Sequence, residues 1–134
     1  MILGMGTDIV EISRIRKILR KSSADFLSRV YTEKELQESR AKKNSAEYLA
    51  GRWAVKEALS KALGCGIGAC CNWKDISTTN DSKGAPRVRL SGLASKTAKT
   101  KSAGKIHPPG GYFKPPFAPG RLRPGAVIRN FYLH

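Results

Sequence analysis

The sequence predicts an α+β fold: an antiparallel sheet packed on one long helix, with shorter helices around it. Three observations predict it. Residues 2–10, Ile-Leu-Gly-Met-Gly-Thr-Asp-Ile-Val, alternate as a strand does. From Asn44 to Gly64 small and apolar residues recur at three- and four-residue spacing, the mark of a long helix. Residues 74–79 and 86–90 read as two strands joined by the turn-rich Asn80-Asp-Ser-Lys-Gly84, which predicts a hairpin.

The other elements follow in order. Gly4 and Gly6 on the first strand mark a close approach of backbone. Ile12, Ile15 and Leu19 then recur at helical spacing, with Arg14, Arg16, Lys17, Arg20 and Lys21 making a dense basic face. Thr32 followed by Glu35 is a capping box, so a helix begins at about Glu33. Asn44 with Glu47 is an Asn-based version of the same signal, and Gly64 is placed to end the long helix. Residues 92–103 form a last helix, with Leu93, Ala94 and Ala98 as its apolar positions.

The chain of 134 residues is long enough for one domain with one core. No run approaches the ~18 apolar residues of a membrane span. The first residues lack the basic and apolar blocks of a signal peptide. Cys65, Cys70 and Cys71 follow no zinc spacing, and their odd count argues against a disulfide framework. They read as small buried or loop residues of a reducing, cytoplasmic setting.

Two acids stand out. On the long helix Ala50, Trp53, Ala54, Glu57, Ala58 and Lys61 share one stripe, with Glu57 in its middle. Asp8 is embedded in the apolar alternation of the first strand. A carboxylate in an apolar setting needs a partner, because an unpaired buried charge is very costly. Glu57 and Lys61, four apart, would also make an ordinary helix ion pair worth about 0.3–0.5 kcal/mol. Asp8 alone would also serve as a strand-end or capping acid. Two acids and a lysine one turn away also suggest a cation and a phosphate.

Three segments, in order and spacing, resemble the holo-acyl-carrier-protein synthase family of 4'-phosphopantetheinyl transferases. They are Gly6-Thr-Asp8-Ile-Val-Glu11-Ile-Ser-Arg14-Ile15, Phe26-Leu-Ser-Arg29-Val-Tyr-Thr32-Glu-Lys-Glu35 and Leu49-Ala-Gly-Arg-Trp53-Ala-Val-Lys56-Glu57-Ala-Leu-Ser-Lys61-Ala-Leu-Gly64. The resemblance covers residues 1 to about 107. It implies a cytoplasmic enzyme of fatty acid biosynthesis that moves phosphopantetheine from coenzyme A to a serine of acyl carrier protein, releasing adenosine 3',5'-bisphosphate. It implies Mg2+ held by Asp8 and Glu57, with Lys61 on the coenzyme phosphates. Magnesium uses few carboxylates and completes its octahedron with phosphate oxygens and water. Glu57 or a metal-bound water would take the serine proton. Gly64, with Gly66 and Gly68, would let backbone approach the coenzyme, or would form a plain flexible loop. Gly84-Ala-Pro86 resembles the family's Gly-x-Pro near the adenine, though it reads equally as a simple turn. His107 aligns with a family histidine near the 3'-phosphate. Arg14, with Lys17, Arg20 and Lys21, would dock the acidic carrier protein. The family forms homotrimers. Cys65 departs from the family's threonine or serine.

The net charge of +15 is unevenly spread. Residues 1–81 hold fourteen Lys and Arg against all ten acids, so they carry +4, and residues 82–134 hold eleven against none, so they carry +11. Six of the seven prolines lie in residues 108–124. The expected division is a transferase domain at 1–107 and an atypical Pro/Arg-rich tail at 108–134, either a divergent segment or the product of a slipped reading frame. Prolines this dense lack donors for a central strand, so the tail is expected to add no ordered strand. A basic nucleic-acid-binding protein is the rival function, but it leaves Asp8 and Glu57 unexplained. A family member inactivated by its altered end is a third.

Overall fold

The computed structural model describes residues 4–21, 23–83, 86–101 and 126–133. Strand β1 (Gly4–Glu11) runs into helix α1 (Ile12–Lys21), followed by α2 (Ser23–Val30), α3 (Glu33–Arg40) and α4 (Ser45–Leu63). A short 3-10 turn (Trp73–Asp75) leads into the hairpin β2 (Ile76–Asn80) and β3 (Pro86–Leu90), then α5 (Gly92–Lys101) and β4 (Ala126–Leu133). This is the expected α+β architecture. Among the described residues the antiparallel pairing is divided between two two-stranded sheets, β1–β4 and β2–β3.

The predicted boundaries hold where side-chain chemistry marks them. Thr32 accepts from the Glu35 amide at 3.2 Å, and the Glu35 carboxylate accepts from the Thr32 amide at 2.9 Å, completing the capping box of α3. Asn44 accepts from the Glu47 amide at 3.1 Å and starts α4. Gly64 ends that helix in the left-handed region at φ 100°, donating to the Lys61 carbonyl. Helix α2 was not expected: its eight residues carry no cap signal of the kind that marks α3.

The expectation that residues 108–134 add no strand is corrected. Ala126–Leu133 pairs antiparallel with β1 over its whole length, from Gly4 opposite Leu133 to Glu11 opposite Ala126. The physical reason is where the prolines stop. The last is Pro124, so Ala-Val-Ile-Arg-Asn-Phe-Tyr-Leu keeps every backbone donor and is rich in β-branched and aromatic residues. The expected boundary at 107/108 and His107 itself lie outside the described residues.

Helix α4 is the centre of the fold. One core cluster joins Val55, Ala58, Leu59 and Leu63 to Cys71, Ile76, Ala94 and Ala98. The other joins Ala46, Leu49, Ala50 and Ala54 to Val10, Ile12, Ile15, Val30 and Tyr31. Leu93, expected in the core, is exposed on α5. Strand β1 lies directly on α4, backbone to backbone. A Cβ on Gly4 would collide with the Ala62 carbonyl oxygen, and one on Gly6 with that of Ala58. The glycines are therefore required by close approach, as their placement on the strand predicts.

A charge sits in this core. Lys56 is wholly buried, and its three ammonium donors go to Glu35 Oε1 at 2.9 Å, the Trp73 carbonyl at 2.9 Å and the Ile76 carbonyl. Burial pulls the Lys56 pKa down, while the Glu35 carboxylate opposes that shift. Glu35 is equally buried, so the α3 capping acid doubles as the counter-ion of α4.

Removing one partner of a buried pair strands the other charge. Lys56→Met should therefore cost about 3–5 kcal/mol in urea unfolding. The double variant Lys56→Met with Glu35→Gln should cost less than Lys56→Met alone, and strictly additive losses would contradict the pairing. Gly6→Ala should cost about 1–3 kcal/mol by overpacking, because the obstructing atom is backbone.

Candidate active site

The close approach of β1 to α4 decides which charged groups meet. Gly6 brings the strand onto the helix at Ala58, and two residues later Asp8 faces the same way. Its Oδ1 lies 3.1 Å from Lys61 Nζ, with the Asp8 side chain 15% exposed and that of Lys61 52% exposed. Glu57, one turn earlier on α4, is half-buried. Burial pushes its carboxyl pKa up and the Asp8 charge pushes it further, while Lys61 and Arg14 pull it down. Two carboxylates and two cations from β1, α1 and α4 thus share one electrostatic neighbourhood. The expected stripe splits: Ala50, Ala54 and Ala58 are buried, while Trp53 and Glu57 are only half-buried and Lys61 is exposed. Glu57 is not in the middle of a buried face but on its solvent-side edge.

The other expected residues are placed as follows. Gly64 follows Lys61 by one turn, as the exposed helix cap. Gly66 and Gly68 have φ of 76° and 93°, so the loop beyond the helix needs glycine at both. Lys17, Arg20 and Lys21 are exposed along α1 with Arg14. Pro86 opens β3, in the sheet that does not contain Asp8.

Sequence reasoning missed a second feature beside this group. Trp53, one turn before Glu57, stacks on Phe26 at 5.2 Å and meets Trp73 at 5.0 Å. Phe26 and Trp73 line a cavity of about 580 Å³ together with Arg29, Lys74, Ile67 and Gly68. The missed Lys56 had a signal. Helix α4 carries Leu49, Val55, Leu59 and Leu63 off the stripe, so its apolar surface is wider than one face, and Lys56 lies within it.

No group of three or more His, Cys, Asp or Glu close enough to hold a metal occurs among the described residues. Asp8 and Glu57 are carboxylates of the kind that would hold a cation: burial, and after it the Asp8 charge, raises the Glu57 carboxyl pKa.

The comparisons decide the family. A family model for the 4'-phosphopantetheinyl transferase superfamily matches residues 4–112. The chain belongs to that superfamily. The holo-[acyl-carrier-protein] synthase of Vibrio parahaemolyticus is 44% identical over 106 residues, covering 79% of this chain and 84% of that protein. The crystal structure of the Neisseria meningitidis synthase superposes with a TM-score of 0.77 at 30% identity, covering 98% of this chain and 97% of the other. The Bacillus anthracis synthase, solved in complex with CoA (3',5'-ADP), superposes with a TM-score of 0.62 at 41% identity, covering 69% and 78%. The three sequence segments quoted above lie in β1 with the start of α1, in α2 with the start of α3, and in α4: β1 carries Asp8, and α4 carries Glu57 and Lys61.

The raised Glu57 pKa has a consequence for stability. An acid whose folded pKa exceeds its unfolded value of about 4.5 costs the folded state stability as pH rises through that window. Glu57→Gln has no proton to lose. In metal-free buffer it should melt at a higher temperature than the parent at neutral pH, and the two curves should converge below pH 4.5. A gap independent of pH would contradict the electrostatic origin.

Proposed function

We infer that this chain transfers 4'-phosphopantetheine from coenzyme A to a serine of apo acyl carrier protein. The observation that carries the reading is Asp8 paired with Lys61 at 3.1 Å, with its charge reaching Glu57, one turn from Lys61, in a member of this superfamily. The serine oxygen forms a bond to the phosphorus that bears the pantetheine arm. The bridging P–O bond breaks, and adenosine 3',5'-bisphosphate leaves. Asp8 and Glu57 would hold Mg2+, which when bound supplies Lewis-acid neutralisation of the pyrophosphate charge. Lys61 is close enough to Asp8 and exposed enough to grip a phosphate oxygen beside it. Glu57, its pKa raised by burial and Asp8, is the chain's own candidate to take the serine proton. Gly64, Pro86 and His107 are proposed coenzyme contacts.

Carrier protein would dock on α1, where Arg14, Lys17, Arg20 and Lys21 are exposed together. A homotrimer is proposed from the family resemblance. The role lies in fatty acid biosynthesis, in the cytoplasm. Among the described residues no helix is long and apolar enough to cross a membrane.

Mass spectrometry of apo carrier protein with this chain, coenzyme A and Mg2+ tests the activity: the carrier should gain one phosphopantetheine. Glu57→Gln and Asp8→Asn should each slow transfer by about 100-fold or more, the rate equivalent of several kcal/mol of lost charge stabilisation. Unchanged turnover of either at saturating Mg2+ would remove it from the metal site. For docking, Lys17→Glu or Arg20→Glu is a cleaner probe than Arg14→Glu, because the Arg14 charge also reaches Glu57. Each should raise KM for carrier protein about tenfold and leave KM for coenzyme A unchanged. Equal effects on both substrates would place docking elsewhere.

A further inference from the structure

The loop after α4 holds two cysteines that the transfer reaction does not use. Cys65 directly follows the Gly64 cap and is exposed, while Cys70 is 5% exposed. Their Cα atoms are 5.7 Å apart, near the centre of the disulfide range. The chain between them turns back through Gly66 and Gly68, both at positive φ. Thr97 of α5 anchors the Cys70 carbonyl at 2.7 Å, and the Gly66 amide donates to the Ser60 carbonyl at 3.3 Å, so the two ends of the loop are held by different helices. Cys71 is set apart: it is buried, and its thiol points at the Gly66 carbonyl at 3.8 Å.

We propose that Cys65 and Cys70 form a reversible dithiol–disulfide site that pins the loop lining the cavity. The oxidant is a low-molecular-weight disulfide. The exposed Cys65 thiolate attacks one of its sulfurs, forming a mixed disulfide as the oxidant's own S–S bond breaks and one thiolate leaves. The Cys70 thiolate then attacks the Cys65 sulfur, the Cys65–Cys70 bond forms, and the second thiolate leaves and is protonated. Two protein thiols are oxidised and one small disulfide is reduced. The division of labour follows from exposure: an accessible thiol meets the oxidant, and a sheltered neighbour resolves the adduct. Because Ile67 and Gly68 lie inside the ring and line the cavity, the oxidised loop holds that wall in place. The inference does not depend on the phosphopantetheine reading, since its readouts need no carrier protein or coenzyme.

The test uses the full chain with oxidised or reduced glutathione as the probe, followed by acid quench, denaturing alkylation and peptide mapping. The oxidised chain should take one alkyl group, at Cys71, where the reduced chain takes three. Cys70→Ser should accumulate a stable glutathione adduct on Cys65. Hydrogen exchange across residues 64–72 should be slower in the oxidised chain. Three alkylated cysteines after oxidation, a persistent adduct on Cys65 in the parent chain, or a bond involving Cys71 would overturn the site. Equal exchange in both redox states would overturn its control of the loop. Should Cys70→Ser not fold, the alkylation map of the parent chain still decides.

Discussion

The site depends on a steric constraint: strand β1 must lie on helix α4 with no side chain between them. Gly4 and Gly6 make this possible on the strand, and Ala58 and Ala62 make it possible on the helix. Inter-element spacing is otherwise set by side-chain bulk, and here it shrinks to backbone contact. The consequence is chemical. A short side chain such as Asp8 reaches across the interface to Lys61, which a longer separation would forbid. Strand β4 completes the arrangement by pairing β1 along its free edge, so the strand that carries Asp8 is held on one side by backbone hydrogen bonds and on its face by α4.

The buried pair Lys56–Glu35 solves a different problem. Helix α4 is buried over most of its surface, so its rotation is specified from within the core. Apolar packing tolerates many near-equivalent arrangements, while a lysine with three fixed acceptors tolerates one. Those acceptors come from α3 and from both ends of the segment that joins the 3-10 turn to β2. Lys56 therefore fixes the azimuth of α4, and with it the direction in which its neighbour Glu57 points. Two adjacent charges on one helix divide the work: one is sealed in the core to orient the helix, the other is left at the solvent edge.

Much of this was legible in the sequence, because local chemistry marks it. Caps at Thr32, Asn44 and Gly64 set three helix ends, and the strand glycines announced a close contact. The pairing of Asp8 with the α4 charges was legible only through the family resemblance, since 53 residues separate Asp8 from Lys61. Three things were not legible. Glu35 read as a cap and nothing more, because its second role comes from a lysine on another helix. The stripe on α4 was drawn as one buried face, although the buried surface is wider and Trp53, Glu57 and Lys61 lie at its solvent edge. The tail was judged by its average proline content, whereas a strand is decided residue by residue: the eight residues of β4 contain none.

The charge distribution finally argues for a phosphate-bearing substrate rather than a nucleic acid. A nucleic-acid surface needs cations without competing acids, since carboxylates repel the backbone it must hold. Asp8 and Glu57 sit among Lys61 and Arg14; burial, and after it the Asp8 charge, raises the Glu57 pKa against the pull of the two cations. Under the proposed function a divalent cation would be held on the carboxylate side, and Lys61, 3.1 Å from Asp8, would contact a phosphate oxygen beside it. The exposed basic residues of α1 lie outside that group, on a surface that an acidic protein can cover while the small substrate is held beside it.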